Sequence, residues 1–174
     1  LDAGKLRRAL VVDKVIGRAA AAICLGVRPN AVKYGLAGFN GAGRRFEFKG
    51  KYNGADIYDD YAHHPGELKA LLDTVENLNY KRTVVVFQPH TYSRTAALFD
   101  DFVKQLRRPD VLLLAEIFAA REKNTIGMSS AALAEQIDGA VFCPTFDELE
   151  DTLRARAAPG DIVLTVGAGN VYKI

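Results

Sequence analysis

Cysteine is nearly absent: Cys24 and Cys143 are the only two in 174 residues, far apart and outside any CxxC or His/Cys spacing. That scarcity argues against a disulfide framework or a zinc site, and both cysteines read as buried thiols filling a core. Long apolar runs are also missing, since none nears the roughly 18 residues that span a bilayer. No basic-then-apolar leader opens the chain, so a cytoplasmic, non-membrane protein is expected. Neither sign of charge dominates: 23 basic and 21 acidic residues are mixed along the chain, for a net charge of +2. That balance gives no argument for a nucleic-acid partner. No GxxxxGK[ST] occurs, so a Walker phosphate loop is absent from this stretch.

What is present is a change of rhythm. "VVDKVIGRAAAAICLGV" (Val11 to Val27) carries apolar residues at helical spacing, and Pro29 suits the first turn of a second short helix. Around "FEFKGKYNGADIYDD" aromatic and polar residues alternate, and the Asn-Gly pair predicts a β-hairpin turning near "YNGA". Beyond it, the apolar runs "ADIYD", "RTVVVFQ", "DVLLLAEIF", "GAVFC" and "DIVLTVG" alternate with helix candidates. These candidates are "PGELKALLDTVENL", "SRTAALFDDFVKQLR", "SSAALAEQI" and "FDELEDTLRARA". Val and Leu runs that do not alternate suit strands buried on both faces. The expected fold is α/β: a Rossmann-like, mostly parallel sheet with helices on both faces over residues 43–174, preceded by a helical segment over 1–42.

In such sheets ligands bind beyond the carboxyl ends of the strands. The loops on that side read "DDYAHHP", "QPHTYSRT", "AAREKNT" and "GAGN", whereas the loops entering the strands are merely charged. Ser93 is a candidate N-cap, and Arg94 then falls in a first turn, where the helix dipole disfavours a cation. An arginine beside exposed backbone N–H groups makes a receptor for a carboxylate or phosphate. The alternative is an ordinary solvated arginine. "GAGRRFEF" places Arg44 and Arg45 after small glycines, a pattern that suits phosphate contact but equally a pair of surface strand arginines. "GAGN" lacks the rest of GxGxxG and reads better as a tight turn with close backbone approach than as a dinucleotide site. In "DDYAHHP", Asp59 and Asp60 alternate sides of a strand, and the two adjacent histidines point differently, which disfavours a shared metal. The stretch reads as a binding loop for a charged, hydroxylated ligand.

"GAGRRFEF", "DDYAHHPGE", "VVVFQPHTYSRT", "LAEIFAAREKN" and "VGAGN" occur in an order and spacing that resemble the C-terminal domain of the Mur ligase family. Within that family the resemblance points to the ligases that add L-alanine, and it covers roughly residues 36 to 174. It implies one domain of an ATP-dependent ligase of peptidoglycan synthesis, which phosphorylates the carboxylate of UDP-N-acetylmuramate and lets the alanine amine displace phosphate. By that resemblance Arg45 looks like the catalytic arginine on the nucleotide phosphate and Asp60 like the acid near the ATP ribose, with His64 near the nucleotide. Tyr61, His63, His90 and Arg94 would form the amino-acid pocket, Arg94 taking the carboxylate. Many family members carry a second arginine where this chain has Thr91. The phosphate loop, and mainly the magnesium ligands, are expected from a central domain and the UDP-sugar site from an N-terminal domain, so the stretch alone should be inactive. Residues 1–30 fit the family poorly; Val11 to Val27 resembles instead a small family with a cytidine-deaminase-like fold. The alternatives are a noncatalytic nucleotide- or amino-acid-binding module and, more weakly, an NAD-binding domain using "GAGN".

Overall fold

The computed structural model describes residues 19–37 and 43–174. The chain divides into two compact units, Leu1–Gly43 and Arg44–Ile174. In the first, residues 19–24 are helical (α1) and Pro29–Ala37 forms α2 with its proline at the start, as expected. The rest of the predicted Val11–Val27 helix, residues 11–18, lies outside the described residues. Cys24 is exposed rather than buried, so only Cys143 behaves as the core thiol expected of both.

The second unit is built on one six-stranded sheet of order β1-β2-β6-β3-β4-β5. Its strands are β1 (Glu47–Tyr52), β2 (Ala55–Asp60), β3 (Arg82–Phe87), β4 (Val111–Ala115), β5 (Val141–Cys143) and β6 (Asp161–Val166). Only β1 runs antiparallel, hairpinned to β2. Tyr52 faces Ala55 across Asn53 and Gly54, whose φ values of 47° and 77° give the doubly left-handed two-residue turn that Asn-Gly favours.

The unalternating Val and Leu runs are explained by burial from both sides. Val84, Val86, Leu113, Ala115 and Val163 join Leu149 of α7 (Phe146–Arg156) in one core. The intervening Val85, Phe87, Leu112, Leu114 and Leu164 are equally buried. On their side Phe87 packs against Phe102 of α5 (Phe99–Leu106), ring centroids 5.6 Å apart. The remaining helices are α3 (Pro65–Glu76), α4 (Tyr92–Ala97) and α6 (Ser130–Ala134). Among the described residues no helix is long and apolar enough to cross a membrane.

The single helix expected over "SRTAALFDDFVKQLR" is two, α4 and α5, broken at Leu98 (φ −119°, ψ 25°). Neither glycine nor proline marks the break. Thr95 is fully buried and its hydroxyl donates back to the Thr91 carbonyl at 2.7 Å, a bond that competes with helix geometry and bends the chain.

Candidate functional site

The carboxyl ends of β2, β3, β4 and β6 gather four loops on one rim, and each is fixed by a different bond. At the end of β2 the two aspartates part company, as alternation requires. Asp59 turns toward the β6 loop, where its carboxylate accepts from Arg44 Nε at 2.8 Å and from Thr165 Oγ1 at 2.9 Å. Asp60 turns back toward the strand-entry segment, accepting from the backbone N–H of Phe46 and of Ala62, both at 2.8 Å. Burial pushes the Asp60 carboxyl above its usual range, an effect opposed by those two amides and by Arg45. Both oxygens of Asp60 therefore hold backbone, and any contact with a ligand must use their remaining lone pairs.

Arg44 and Arg45 behave oppositely. Besides Asp59, Arg44 donates to the carbonyls of Gly167 and Gly169 at 2.6 and 3.3 Å, and its guanidinium lies 4.3 Å from the Tyr172 ring. It is a structural clasp, a role the sequence reading did not assign. Arg45 stays half-exposed, its nearest acid being Glu67 at 3.7 Å and its nearest ring Tyr61 at 5.5 Å, so its donors remain open to an anion. The backbone that presents it is strained: Arg44 and Phe46 have φ of 54° and 47°, a region costly for such residues. The strain is held by the bond from Phe46 N to Asp60, and by Phe46 itself, buried and stacked on Tyr58 at 4.4 Å.

His64 is the N-cap of α3, where its Nδ1 accepts from Gly66 N at 3.2 Å; no described contact carries it toward the other site residues. Tyr61, His63, His90 and Arg94, by contrast, converge. Tyr61 meets His63 edge-on at 5.4 Å, His63 meets His90 at 5.7 Å, and Arg94 Nη1 lies 3.1 Å from His90 Nδ1. The floor under His90 is Phe118 of the β4 loop, stacked at 5.7 Å. Burial first, then the neighbouring Arg94 cation, lowers the His90 pKa.

Ser93 is not the N-cap. That position is Thr91, whose side chain makes no capping bond and whose φ of 65° with ψ of 149° lies where β-branched residues are rarely found. The cap comes from across the rim instead: Glu122 accepts from Ser93 N at 2.9 Å and from the Ser93 hydroxyl. The Ser93 amide beside Arg94 is thus already taken.

Gln88 was overlooked, although it is buried and ties the β6 loop to the β4 loop. Its Oε1 accepts from Asn170 N at 2.7 Å and Val171 N at 3.1 Å, while its Nε2 donates to the Glu116 carbonyl at 3.3 Å. The "GAGN" turn is closed on Gln88: a Cβ on Gly169 would stand 2.3 Å from Gln88 Oε1 and 2.8 Å from Phe118. With those amides occupied, the tight-turn reading of "GAGN" is the one its geometry supports. The only signal available for Gln88 was a polar residue ending an otherwise apolar strand. Among the described residues no group of three or more His, Cys, Asp or Glu side chains is placed to hold a metal ion.

A mostly parallel α/β domain that presents two arginines and a histidine pair at its strand ends defines a class: an α/β domain whose strand-end rim has the chemistry to take an anion. The comparisons make the class particular. Residues 44–169 match the family model described as Mur ligase, glutamate ligase domain, and the chain belongs to that family. It is 47% identical over 157 residues to the UDP-N-acetylmuramate–L-alanine ligase of Clostridium novyi, covering 88% of this chain and 34% of the relative. The corresponding ligase of Agathobacter rectalis is 44% identical over 167 residues, covering 94% of this chain, a span that includes part of residues 1–30, and 36% of the relative. Among solved structures, the UDP-N-acetylmuramate–alanine ligase of Thermotoga maritima superposes with a TM-score of 0.68 at 25% identity, covering 88% of this chain and 33% of that one. A murein peptide ligase from Psychrobacter arcticus shares the fold with a TM-score of 0.69 at 22% identity, covering 91% of this chain and 34% of that one. The chain thus spans about a third of the length of the curated relatives it matches.

Proposed function

We propose that this chain is the C-terminal portion of a cytoplasmic, ATP-dependent ligase that joins L-alanine to UDP-N-acetylmuramate in peptidoglycan synthesis. The observation that carries the reading is the convergence of Tyr61, His63, His90 and Arg94 on one rim, in a chain whose relatives are named for that activity. Arg94 receives the amino-acid carboxylate, and its planar fork gives a bidentate grip. Arg45, held on its strained segment with open donors, meets the phosphate charge that develops during transfer. Asp60 fixes that segment through Phe46 N, and its remaining lone pairs face the nucleotide; His64 stands at the start of α3 on the same side. ATP supplies the phosphoryl group that makes a carboxylate into an acyl phosphate. The central domain contributes the phosphate loop and the magnesium ligands and the N-terminal domain the UDP-sugar site, and the residues before 43 are the end of that central domain. Alone, the chain binds but does not ligate.

The test is reconstitution. A fragment carrying the first two domains, mixed with this chain, is expected to release phosphate only when L-alanine and UDP-N-acetylmuramate are both present. Arg45→Ala should lower kcat by about 100-fold, the usual cost of removing one charge-stabilising donor. Folded components that bind each other yet release no alanine-dependent phosphate would overturn the reading, in favour of a noncatalytic binding module.

A further inference from the structure

Arg45 is aimed by its neighbours rather than by bonds of its own, and we infer that Arg44, moored on the "GAGN" turn, is the positioning residue that holds Arg45 toward the phosphate charge. The inference rests on the ligase reading for the role of Arg45, and adds how that side chain is directed and what the "GAGN" turn is for. Among the described residues the Arg45 guanidinium has no acid closer than Glu67 at 3.7 Å, and the Tyr61 ring is 5.5 Å away. The backbone on either side of it is left-handed, with φ of 54° at Arg44 and 47° at Phe46, and would relax if released. Relaxation there swings the Arg45 side chain. Whatever fixes residues 44 and 46 therefore fixes where Arg45 points.

Phe46 is fixed by its bond to Asp60 and by burial against Tyr58. Arg44 is fixed through backbone and side chain together. Its N–H donates to Glu47 Oε2 at 2.7 Å, and its carbonyl accepts from Tyr61 N at 2.8 Å. Its guanidinium donates through Nε to Asp59 at 2.8 Å, through Nη2 to the Gly167 carbonyl at 2.6 Å and through Nη1 to the Gly169 carbonyl at 3.3 Å. The rings of Tyr172 and Tyr61 lie 4.3 and 5.1 Å from it. A planar fork reaches a carboxylate and two carbonyls at once, which a single ammonium does not. The buried Asp59 also balances the Arg44 charge, so Arg45 is the cation left for a ligand.

The mooring is itself rigid. Gly167 N donates to the Asp60 carbonyl at 3.0 Å, and Gln88 Oε1 takes the amides of Asn170 and Val171. Neither Gly167 nor Gly169 has room for a Cβ, which would stand 2.6 and 2.3 Å from oxygens of Gln88. The turn thus directs its amides to Gln88 and its carbonyls to Arg44. What it holds in place is the residue next to Arg45.

Hydrogen exchange of the chain tests the mooring without any activity. In Arg44→Gln, folded as judged by its amide spectrum, the amides of Phe46 and Tyr61 are expected to exchange about tenfold faster, a local opening that leaves the buried strand residue Leu113 at its wild-type rate. Unchanged rates at Phe46 and Tyr61, or the same acceleration at Leu113, overturn the proposal. The reconstituted ligase tests the positioning. Arg44→Gln is expected to lower kcat about tenfold, as misplacing a charge-stabilising group does. In an Arg45→Ala background it should change kcat by less than about twofold, because nothing remains to be aimed. An unchanged kcat in the single variant, or losses that multiply in the double variant, overturn it. Arg44→Lys keeps Asp59 paired but cannot reach both carbonyls; the same results are expected of it, and it replaces Arg44→Gln in both measurements should that variant not fold. A wild-type mixture that makes no product counts against the ligase reading instead, and hydrogen exchange then decides whether Arg44 holds the segment.

Discussion

The two ends of one sheet do different work with the same residue type. At the end where strands begin, Arg82 forks onto Asp161, with bonds of 3.0 and 2.7 Å, and gives a further bond to the Arg156 carbonyl. Asp161 in turn accepts from Ala158 N at 2.9 Å. Arg82 is thus held by a paired carboxylate and a carbonyl. At the end where strands finish, Arg44 is closed in the same way on Asp59 and two carbonyls, but Arg45 and Arg94 are not. The backbone near them is the strained kind, at Phe46 and Thr91. The fold leaves Arg45 and Arg94 short of acidic partners and tolerates strained backbone beside them.

Breaking the finishing end at its centre should have the largest effect on stability. Gly169→Val drives a side chain into Gln88 Oε1 and Phe118. The displaced Gln88 strands the amides of Asn170 and Val171, for a loss of roughly 3 kcal/mol or more, read by chemical denaturation. Asp60→Asn comes next. An amide replaces one of two acceptor oxygens with a donor facing a backbone N–H, and we expect a loss of about 2 kcal/mol together with weaker nucleotide binding in the reconstituted enzyme.

Acid sharpens the contrast between the ends. The bond from Arg82 holds the Asp161 carboxyl below its ordinary 3.8. That contribution is fully present above 3.8 and is lost as pH falls through the lowered folded value. Burial raises Asp60, so the folded state holds that proton more tightly, and its ionisation costs stability as pH rises from 3.8 through the raised value. Unfolding measured from pH 3 to pH 6 should therefore lose its acid limb in Asp161→Asn and steepen toward acid in Asp60→Asn. The smallest effect is expected from Thr91→Gly, which relieves the positive φ but adds freedom to the unfolded chain, for a net gain of about 0.5 kcal/mol.

Much of this was legible in the sequence because it is local. The Asn53-Gly54 turn, the unalternating strands β3, β4 and β6, and the side of the sheet bearing unusual loops follow from residue types and spacing. The convergence of Tyr61, His63, His90 and Arg94 was anticipated through resemblance, since residues about 30 positions apart meet only once β2 and β3 flank β6. What stayed hidden depends on partners distant in the chain. Arg44 and Arg45 are identical side chains one position apart, and only the placement of Asp59 and Gly167 decides which is tied down. Glu122 sits between an arginine and a lysine and reads as a solvated charge, yet it caps a helix 29 residues away. Gln88 acts across 82 residues, and the break at Leu98 has no breaker residue to announce it.

The central claim, that one end of the sheet binds and the other holds, is tested most directly by a pair of variants in one assay. Arg94→Ala and Arg82→Ala are compared in the reconstituted ligase for the KM of L-alanine, and as isolated chains for Tm. The account predicts that Arg94→Ala raises KM at least tenfold, the loss of about 1.4 kcal/mol or more of charge-assisted binding, with Tm little changed. Arg82→Ala should lower Tm and leave KM where it was. An Arg94→Ala enzyme with unaltered KM, or an Arg82→Ala enzyme whose KM rises as far, would contradict it.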